Sequence, residues 1–117
     1  MGNRAVLCLR DNGEQGFSED VVGIYLHWNG SLSQIQDFLR LARERMGSRL
    51  GDVVYAKARL IGVIHDEIDG NLSLGIGIVK ELDYDNTNNG TYIIDCKTLT
   101  ISGRAYNNLD EDYSYCE

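Results

Sequence analysis

Two consecutive helix-type apolar patterns, flanked on both sides by strand-type stretches, constrain the fold of this chain most. The first follows Ser31 and places apolar residues at i, i+3, i+4, i+7 and i+11, namely Ile35, Phe38, Leu39, Ala42 and Met46. The second begins after Asp52, a favourable N-cap residue, and runs to about Glu67. Because strands are grouped on either side of the helices and do not alternate with them, the pattern predicts an α+β domain.

Five stretches have the alternation, or the β-branched and aromatic content, of strands: residues 4–9, 21–28, 72–78, 91–96 and 98–102. We therefore predict an antiparallel sheet of about five strands, in the order ββααβββ, with two helices packed on one face. The third stretch alternates Leu and Ile with Ser and Gly, which predicts one buried apolar face and one bare face. Asn89-Gly90 predicts a type I′ hairpin turn before the fourth strand.

The helix patterns also predict local contacts. Ser31 and Gln34 have the spacing of a capping box at the start of the first helix, with Ser33 and Gln36 an equally good register. The second helix has a row of residues on one side with further apolar residues beside it, which predicts a wide apolar face. We therefore expect it to be the more buried of the two helices. That row consists of Val54, Ala58, Ile61 and His65, with Val53, Leu60 and Ile64 at its side.

The length of 117 residues, of which 43% are hydrophobic, fits a single globular domain. We predict a domain over residues 1–103 and an acidic, tyrosine-containing tail over residues 104–117. The three cysteines, Cys8, Cys96 and Cys116, form no CxxC pair and follow no secretory signal, which favours reduced thiols in a cytoplasm. Cys8 and Cys96 lie in apolar strand patterns and are predicted to be small core residues. No apolar run is long enough for a membrane span, so we expect no membrane association.

The net charge of −7 is unevenly distributed: residues 1–30 carry −2, residues 31–60 carry +3 and residues 61–117 carry −8. This balance argues against direct nucleic-acid binding, which requires a basic surface. Carboxylates spaced along a strand or loop can instead imitate a phosphate backbone and bind a basic protein channel. The residues expected to form such a partner-binding surface are Glu81, Asp83, Asp85, Asp95, Asp110, Glu111 and Asp112. The alternative is an ordinary solubilising surface.

Two other groups are secondary candidates for a site. His27 and Trp28 lie side by side in an aromatic stretch and would suit a pocket, although a packed strand end explains them as well. Arg40 and Arg43 on the first helix could grip an acidic partner, but pairing with carboxylates of the same chain is favoured.

Neither acidic cluster predicts a metal site, and we expect no metal or other cofactor. The run from His65 to Asp69 lacks a second histidine. A calcium loop starting at Asp85 would place Cys96 where the bidentate glutamate belongs.

Several blocks resemble a small protein type found in phages and mobile elements. They are the runs MGNRAV at residues 1–6, YLHWNG at 25–30, ARL at 58–60, GNLSLGI at 70–76 and DNTNNGTYII at 85–94. This chain departs from that type in its longer acidic end and in Ser31, where another glycine is common. The resemblance implies a genetic setting and supplies no catalytic residues.

A phage setting and an acidic surface together lead us to expect an inhibitor of a bacterial defence system, similar to anti-CRISPR proteins. It would act in the host cytoplasm by stoichiometric binding to a defence protein or nucleoprotein, a CRISPR effector being suspected, and would not be an enzyme. Two alternatives remain open. One is a regulatory or assembly protein that dimerises through the glycine-faced strand at 72–79, so that the chain is a monomer or a homodimer. The other is a small-ligand binder or enzyme that uses the His27–Trp28 region.

Overall fold

The computed structural model describes residues 3–11, 18–68, 73–84, 86 and 88–104, and the backbone of residues 105 and 112–114. The described residues form two α-helices, α1 and α2, and six strands, numbered in chain order. The strands are β1 Ala5–Arg10, β2 Val22–Leu26, β3 Leu74–Ile78, β4 Thr91–Asp95, β5 Thr100–Ala105 and β6 Asp112–Ser114, and the helices are α1 Leu32–Met46 and α2 Val53–Glu67. The division into a domain over 1–103 and a tail over 104–117 stays a prediction, although β5 and β6 pair with each other across it.

The strands form one mixed sheet in the order β3-β2-β1-β4-β5-β6. The α+β class is confirmed, but the prediction of a purely antiparallel sheet is wrong, because β1 and β4 run parallel with Val6 opposite Thr91. The order of strands in the sheet also departs from their order along the chain. The segment after β3 crosses one face of the sheet and enters β4 beside β1. β3 therefore lies at an edge of the sheet.

Both helices pack on one face of the sheet and form the main core with it. Leu7, Ile24, Tyr92 and Ile94 point from the strands into this core, and Leu39, Leu60 and other helix residues meet them. Tyr92 is fully buried, and its hydroxyl donates a hydrogen bond of 2.8 Å to the carbonyl oxygen of Gly30. This hydrogen bond connects the turn before α1 to the central strand β4.

The opposite face of the sheet carries a smaller core under residues 79–84. Val6, Cys8 and Ile93 are buried there with Val79, and Leu82 and Tyr84 pack against them. A Cβ atom on Gly23 would lie only 2.7 Å from Val79 Cγ2, so glycine is what allows this segment to approach the sheet. The glycine face predicted for β3 is different: a Cβ atom on Gly75 would meet nothing within 4 Å, and one on Gly77 would make only ordinary contacts.

The first helix has the predicted buried stripe, since Ile35, Phe38, Leu39, Ala42 and Met46 are all buried. Its predicted capping box does not form. The Ser31 hydroxyl donates to Gln34 Oε1 at 2.7 Å and caps no backbone N–H group. The two side chains therefore satisfy each other, which removes the cap that their spacing suggested.

The second helix begins as predicted, with Asp52 Oδ1 accepting from the backbone N–H of Tyr55 at 3.5 Å. Its predicted buried row is wrong. Val54 is 70% exposed and His65 is exposed, whereas the buried residues are Ala56, Leu60, Val63 and Ile64. Because α2 has apolar residues on most of its circumference, its sequence permits several inward faces. It is also not the more buried helix, since α1 buries five residues and α2 buries four.

The apolar face of β3 was predicted to be buried, but only Leu74 packs partly against the core. Ile76 is 60% exposed and Ile78 is 40% exposed, because α2 does not reach over this edge strand. Period-two alternation identifies the strand and its faces, but it does not show whether another layer covers them. Leu72, which was included in the predicted strand, lies outside the described residues.

The asparagine-rich loop before β4 is not the predicted hairpin turn. Asn89 lacks the positive φ that a type I′ turn requires, and β4 pairs with β1 and β5 but not with β3. The loop instead binds the start of β1. Asn88 Oδ1 accepts from the backbone N–H of Arg4 at 3.0 Å, and Asn89 Nδ2 donates to the Arg4 carbonyl oxygen at 3.1 Å.

The turn between β4 and β5 is fixed by Asp95 and Arg43. Asp95 Oδ1 accepts from the backbone N–H of Lys97 at 2.9 Å, and the Asp95 carbonyl oxygen accepts from the backbone N–H of Leu99 at 2.7 Å. Leu99 has a φ of 54°, and its carbonyl oxygen accepts from Arg43 Nη1 at 2.6 Å. As a result β5 begins at Thr100, two residues later than predicted.

Candidate functional site

An aromatic cluster of Tyr25, His27 and Trp28 stands at the end of β2. The Tyr25 hydroxyl and His27 Nδ1 are hydrogen-bonded at 2.9 Å. The rings of His27 and Trp28 meet edge to face, with centroids 5.2 Å apart. Trp28 is 45% exposed, so the cluster makes internal contacts and is also accessible at the surface. An exposed tryptophan held by a neighbouring ring is typical of residues that anchor protein–protein contacts.

Arg4 and Asp83 lie beside this cluster. Arg4 Nη1 and Asp83 Oδ2 form an ion pair of 3.2 Å, and Arg4 Nε also donates to Asn88 Oδ1 at 2.9 Å. Burial raises the pKa of Tyr25, and the Asp83 carboxylate raises it further, while Arg4 opposes both. Tyr25 therefore stays protonated at neutral pH and serves as a hydrogen-bonding group.

Four carboxylates lie on the face of the sheet opposite the helices, and we call them the acidic face: Glu19, Asp20, Glu81 and Asp83. The two short segments that carry them are joined by the hydrogen bond from the Lys80 backbone N–H to the Glu19 carbonyl oxygen, 3.0 Å long. The Tyr84 hydroxyl donates to Glu19 Oε2 at 2.8 Å. Lys80 approaches Asp20 at 3.6 Å, in a pair whose two side chains are 55% and 83% exposed. This pair is weak because water screens it.

The helical side of the molecule has the opposite balance of charge. From residue 32 to residue 67 there are six basic and five acidic side chains, a net +1. Most of the basic ones are used within the chain: Arg40 pairs with Glu44 at 3.1 Å, and Arg43 binds the Leu99 carbonyl oxygen. Among the described residues, the helices therefore have a small positive balance, whereas the acidic face has four carboxylates and the two basic partners Arg4 and Lys80.

The predicted partner-binding residues do not all come together. Glu81 and Asp83 lie in the acidic face, but Asp95 lies at the other end of β4, where it shapes a turn. Asp85, Asp110 and Glu111 fall outside the described residues, and only the backbone of Asp112 is described. Glu19 and Asp20 were missed, because nothing in a loop sequence shows that it will lie against residues 79–81.

A second accessible feature is an open groove of about 500 Å³ between α2 and the edge strand β3. Ile61 and Gly62 of α2 and Leu74 and Ile76 of β3 contribute an apolar floor. The rim is polar, with Arg45, Arg59, His65 and Asp66. Arg45 and Asp66 form an ion pair of 3.2 Å, so Arg59 supplies the remaining positive charge. We call this feature the β3 groove.

The two described thiols, Cys8 and Cys96, are core residues as predicted and are fully buried. Burial raises the pKa of both and brings that of Cys96 to about 12. Both thiols are therefore protonated and unreactive at neutral pH. Cys116 lies outside the described residues.

The raised pKa of Cys96 predicts a loss of stability at alkaline pH. The unfolded chain releases this proton near pH 9.0, whereas the folded chain holds it to about pH 12. The contribution is complete below pH 9.0 and falls by about 1.4 kcal/mol per pH unit above it. In urea denaturation between about pH 8 and 10.5, the wild-type free energy of unfolding should fall more steeply than that of Cys96→Ala. Parallel pH profiles would contradict this account.

Among the residues that the structure describes, no group of three or more His, Cys, Asp or Glu side chains is placed to hold a metal ion. Asp69 and Asp85, each from one of the two acidic clusters considered for metal binding, lie outside the described residues. In the described ranges, neither helix is long and apolar enough to cross a membrane.

No protein-family model, no curated protein and no solved structure matches this chain. The resemblance to a phage and mobile-element protein type therefore stays a prediction. What can be inferred about function rests on the aromatic cluster, the acidic face and the β3 groove.

Proposed function

We propose that this protein acts by stoichiometric binding and that its acidic face docks on the basic, nucleic-acid-binding surface of a partner protein. The observation that carries the proposal is the gathering of Glu19, Asp20, Glu81 and Asp83 on one face, opposite the more basic helices. A protein polarised in this way is oriented by a basic partner before contact, which raises the association rate.

The aromatic cluster gives the acidic face a second component. Charges at the rim of an interface chiefly set orientation and rate, whereas tryptophan and tyrosine near its centre supply most of the affinity. Trp28 is exposed, and Tyr25 of the same cluster is close enough to Asp83 to sense its charge. A partner that covers both features would gain steering from the carboxylates and apolar burial from the indole ring.

The resemblance noted in the sequence suggests which partner to test. A phage or mobile element benefits from a protein that occupies the DNA-binding channel of a host defence complex. The proposed activity is therefore inhibition of a bacterial defence nucleoprotein, a CRISPR effector being the first candidate, in the host cytoplasm. The regulatory and enzymatic alternatives stay predictions. Among the described residues, the His27 ring contacts Tyr25 and Trp28, and neither contact favours catalysis.

The test uses purified CRISPR effector complexes of several types and a labelled target DNA duplex. The protein is titrated into each effector before the DNA is added, and bound DNA is measured by electrophoretic mobility. The proposal expects one effector type to lose DNA binding at about one protein per complex. If every effector binds DNA normally at a large excess of protein, the proposal of a CRISPR partner is wrong.

Charge reversal on the acidic face should weaken this competition. The double variant Asp20→Lys, Glu81→Lys changes two exposed side chains, and we expect it to weaken binding to the effector by roughly tenfold or more. The control is Asp37→Lys, which reverses one exposed carboxylate on α1, on the other side of the molecule. Equal inhibition by the double variant and the wild type would rule out the acidic face as the contact.

A further inference from the structure

The edge strand β3 presents a regular row of outward-facing backbone groups. β3 pairs with β2 so that Gly75 lies opposite Tyr25 and Ile76 opposite Ile24. Hydrogen bonds from His27 N–H to the Ser73 carbonyl and from Val79 N–H to the Val21 carbonyl show which residues bond inward. In an antiparallel pair, hydrogen-bonded and non-hydrogen-bonded residues alternate along the strand. The backbone N–H and C=O groups that point toward β2 are therefore those of Ser73, Gly75 and Gly77. The N–H and C=O groups of Leu74, Ile76 and Ile78 therefore point away from the sheet.

The sequence of β3 reads almost the same in both directions. Around Ile76 stand two glycines, at 75 and 77, and two large aliphatic residues, Leu74 and Ile78. An antiparallel copy centred on Ile76 would place glycine opposite glycine and Leu74 opposite Ile78. None of these five residues is a charged residue or a proline, the devices that normally protect an edge strand from pairing.

We propose that two copies of this chain associate by antiparallel pairing of β3 with β3, about a two-fold axis at Ile76. The outward groups of Leu74, Ile76 and Ile78 would then form about six backbone hydrogen bonds, two for each hydrogen-bonded pair. The interface is isologous, as expected for a closed homodimer. This inference is independent of the proposed function, because it uses a different surface and a different partner.

The β3 groove supports a second copy as the occupant. A two-fold axis perpendicular to the sheet keeps both pairs of helices on one side and makes the two α2 helices antiparallel. Ile76, exposed in one chain, then lies between two grooves, each with Ile61 and Gly62 in its wall. Arg59 lies at the rim of each groove, and the carboxyl end of the antiparallel α2 of the other copy carries Glu67 in addition to Asp66, which already pairs with Arg45. The proposed pairing thus places a basic and an acidic side chain on opposite sides of the interface.

The same symmetry has a consequence for the acidic face. Because the axis is perpendicular to the sheet, the two acidic faces lie on the same side of the dimer, opposite all four helices. A homodimer would thus present two copies of Glu81 and Asp83 to one elongated partner surface. Loss of dimerisation and loss of the acidic face are separable, since the variants that test them do not overlap.

Light scattering during size-exclusion chromatography tests the association. The wild type should have the mass of a dimer at about 50 μM. Ile76→Lys places two lysines opposite each other at the axis, and it should weaken dimerisation by roughly 100-fold or more. Leu50→Lys changes another exposed aliphatic residue, 41% exposed and outside β3, and should remain dimeric. A monomeric wild type at this concentration overturns the proposal.

Disulfide trapping tests the register in a Cys116→Ser background, so that the buried Cys8 and Cys96 are the native thiols left. In the proposed register Ile76 faces its own copy, with Cα atoms about 5.5 Å apart, which suits a disulfide. Ile76→Cys should therefore cross-link under mild oxidation. Ile78→Cys alone should not, since its two copies are about 14 Å apart, whereas Leu74→Cys combined with Ile78→Cys should. Equal cross-linking of the two single variants would overturn this register.

Discussion

Gly30→Ala is expected to lower the free energy of unfolding by about 3 kcal/mol. A Cβ atom at this position would lie 2.6 Å from the Asn3 carbonyl oxygen and 2.7 Å from Ala5 Cβ. The obstructing atoms belong to the backbone and to a short side chain, so they cannot swing aside. The displacement would also disturb two hydrogen bonds, from Gly30 N–H to the Asn3 carbonyl and from the Tyr92 hydroxyl to the Gly30 carbonyl.

Urea denaturation followed by circular dichroism measures this loss, with Gly62→Ala as the matched control. Gly62 lies on the exposed side of α2, and a Cβ atom there would meet nothing within 4 Å. Alanine at an open helical position should stabilise the protein by up to about 1 kcal/mol. If both substitutions have similar effects, the packing of Gly30 against the start of β1 is not as described.

The second large effect is expected at Asn86, which is buried and holds the loop before β4 together. Its Nδ2 group donates to the carbonyl oxygens of Asp83 at 2.9 Å and Gly90 at 3.2 Å. Its Oδ1 atom accepts from the N–H groups of Asn88 at 3.2 Å and Gly90 at 3.0 Å. Asn86→Ala removes all four bonds and leaves buried backbone groups unsatisfied, so we expect a loss of about 3 kcal/mol.

Asn86→Asp separates hydrogen bonding from packing in the same position. The aspartate keeps the acceptor toward Gly90 N–H but turns a second acceptor toward the Asp83 and Gly90 carbonyl oxygens. The variant should be as unstable as Asn86→Ala at pH 7. It should recover part of the loss, relative to wild type, near pH 4, because a protonated carboxyl can donate again. An unchanged difference between pH 7 and pH 4 would show that hydrogen bonds are not the cause.

The helices were predictable because their signals are local. The stripe from Ile35 to Met46 repeats at the helical period, and Asp52 caps α2 through a contact three residues away. The inward face of α2 was not, because apolar residues surround most of that helix and only the sheet decides which of them is buried. The exposure of Ile76 was unpredictable for the same reason, since no property of the β3 sequence shows that β3 lies at the edge of the sheet.

Contacts between distant segments account for the remaining differences. The parallel pairing of β1 with β4 joins residues more than eighty positions apart, and no turn signal announces it. The Asn89-Gly90 pair was misinterpreted for this reason, because Asn88 and Asn89 bond to Arg4 and not across a hairpin. In the candidate site, Glu81 and Asp83 were predicted from charge alone and their role in binding stays a prediction, while the position of Glu19 and Asp20 beside them required the fold.

The salt dependence of binding to the effector tests the central claim most directly, that the acidic face is the contact. Affinity is measured by calorimetry at about 50 and 300 mM NaCl for the wild type, for Asp20→Lys, Glu81→Lys and for Asp37→Lys. We predict that wild type and Asp37→Lys lose affinity at least tenfold between the two salt concentrations, because paired surface charges are screened. The double variant should bind weakly at both. Wild-type affinity that does not change with salt, together with unimpaired binding by the double variant, would contradict the proposal.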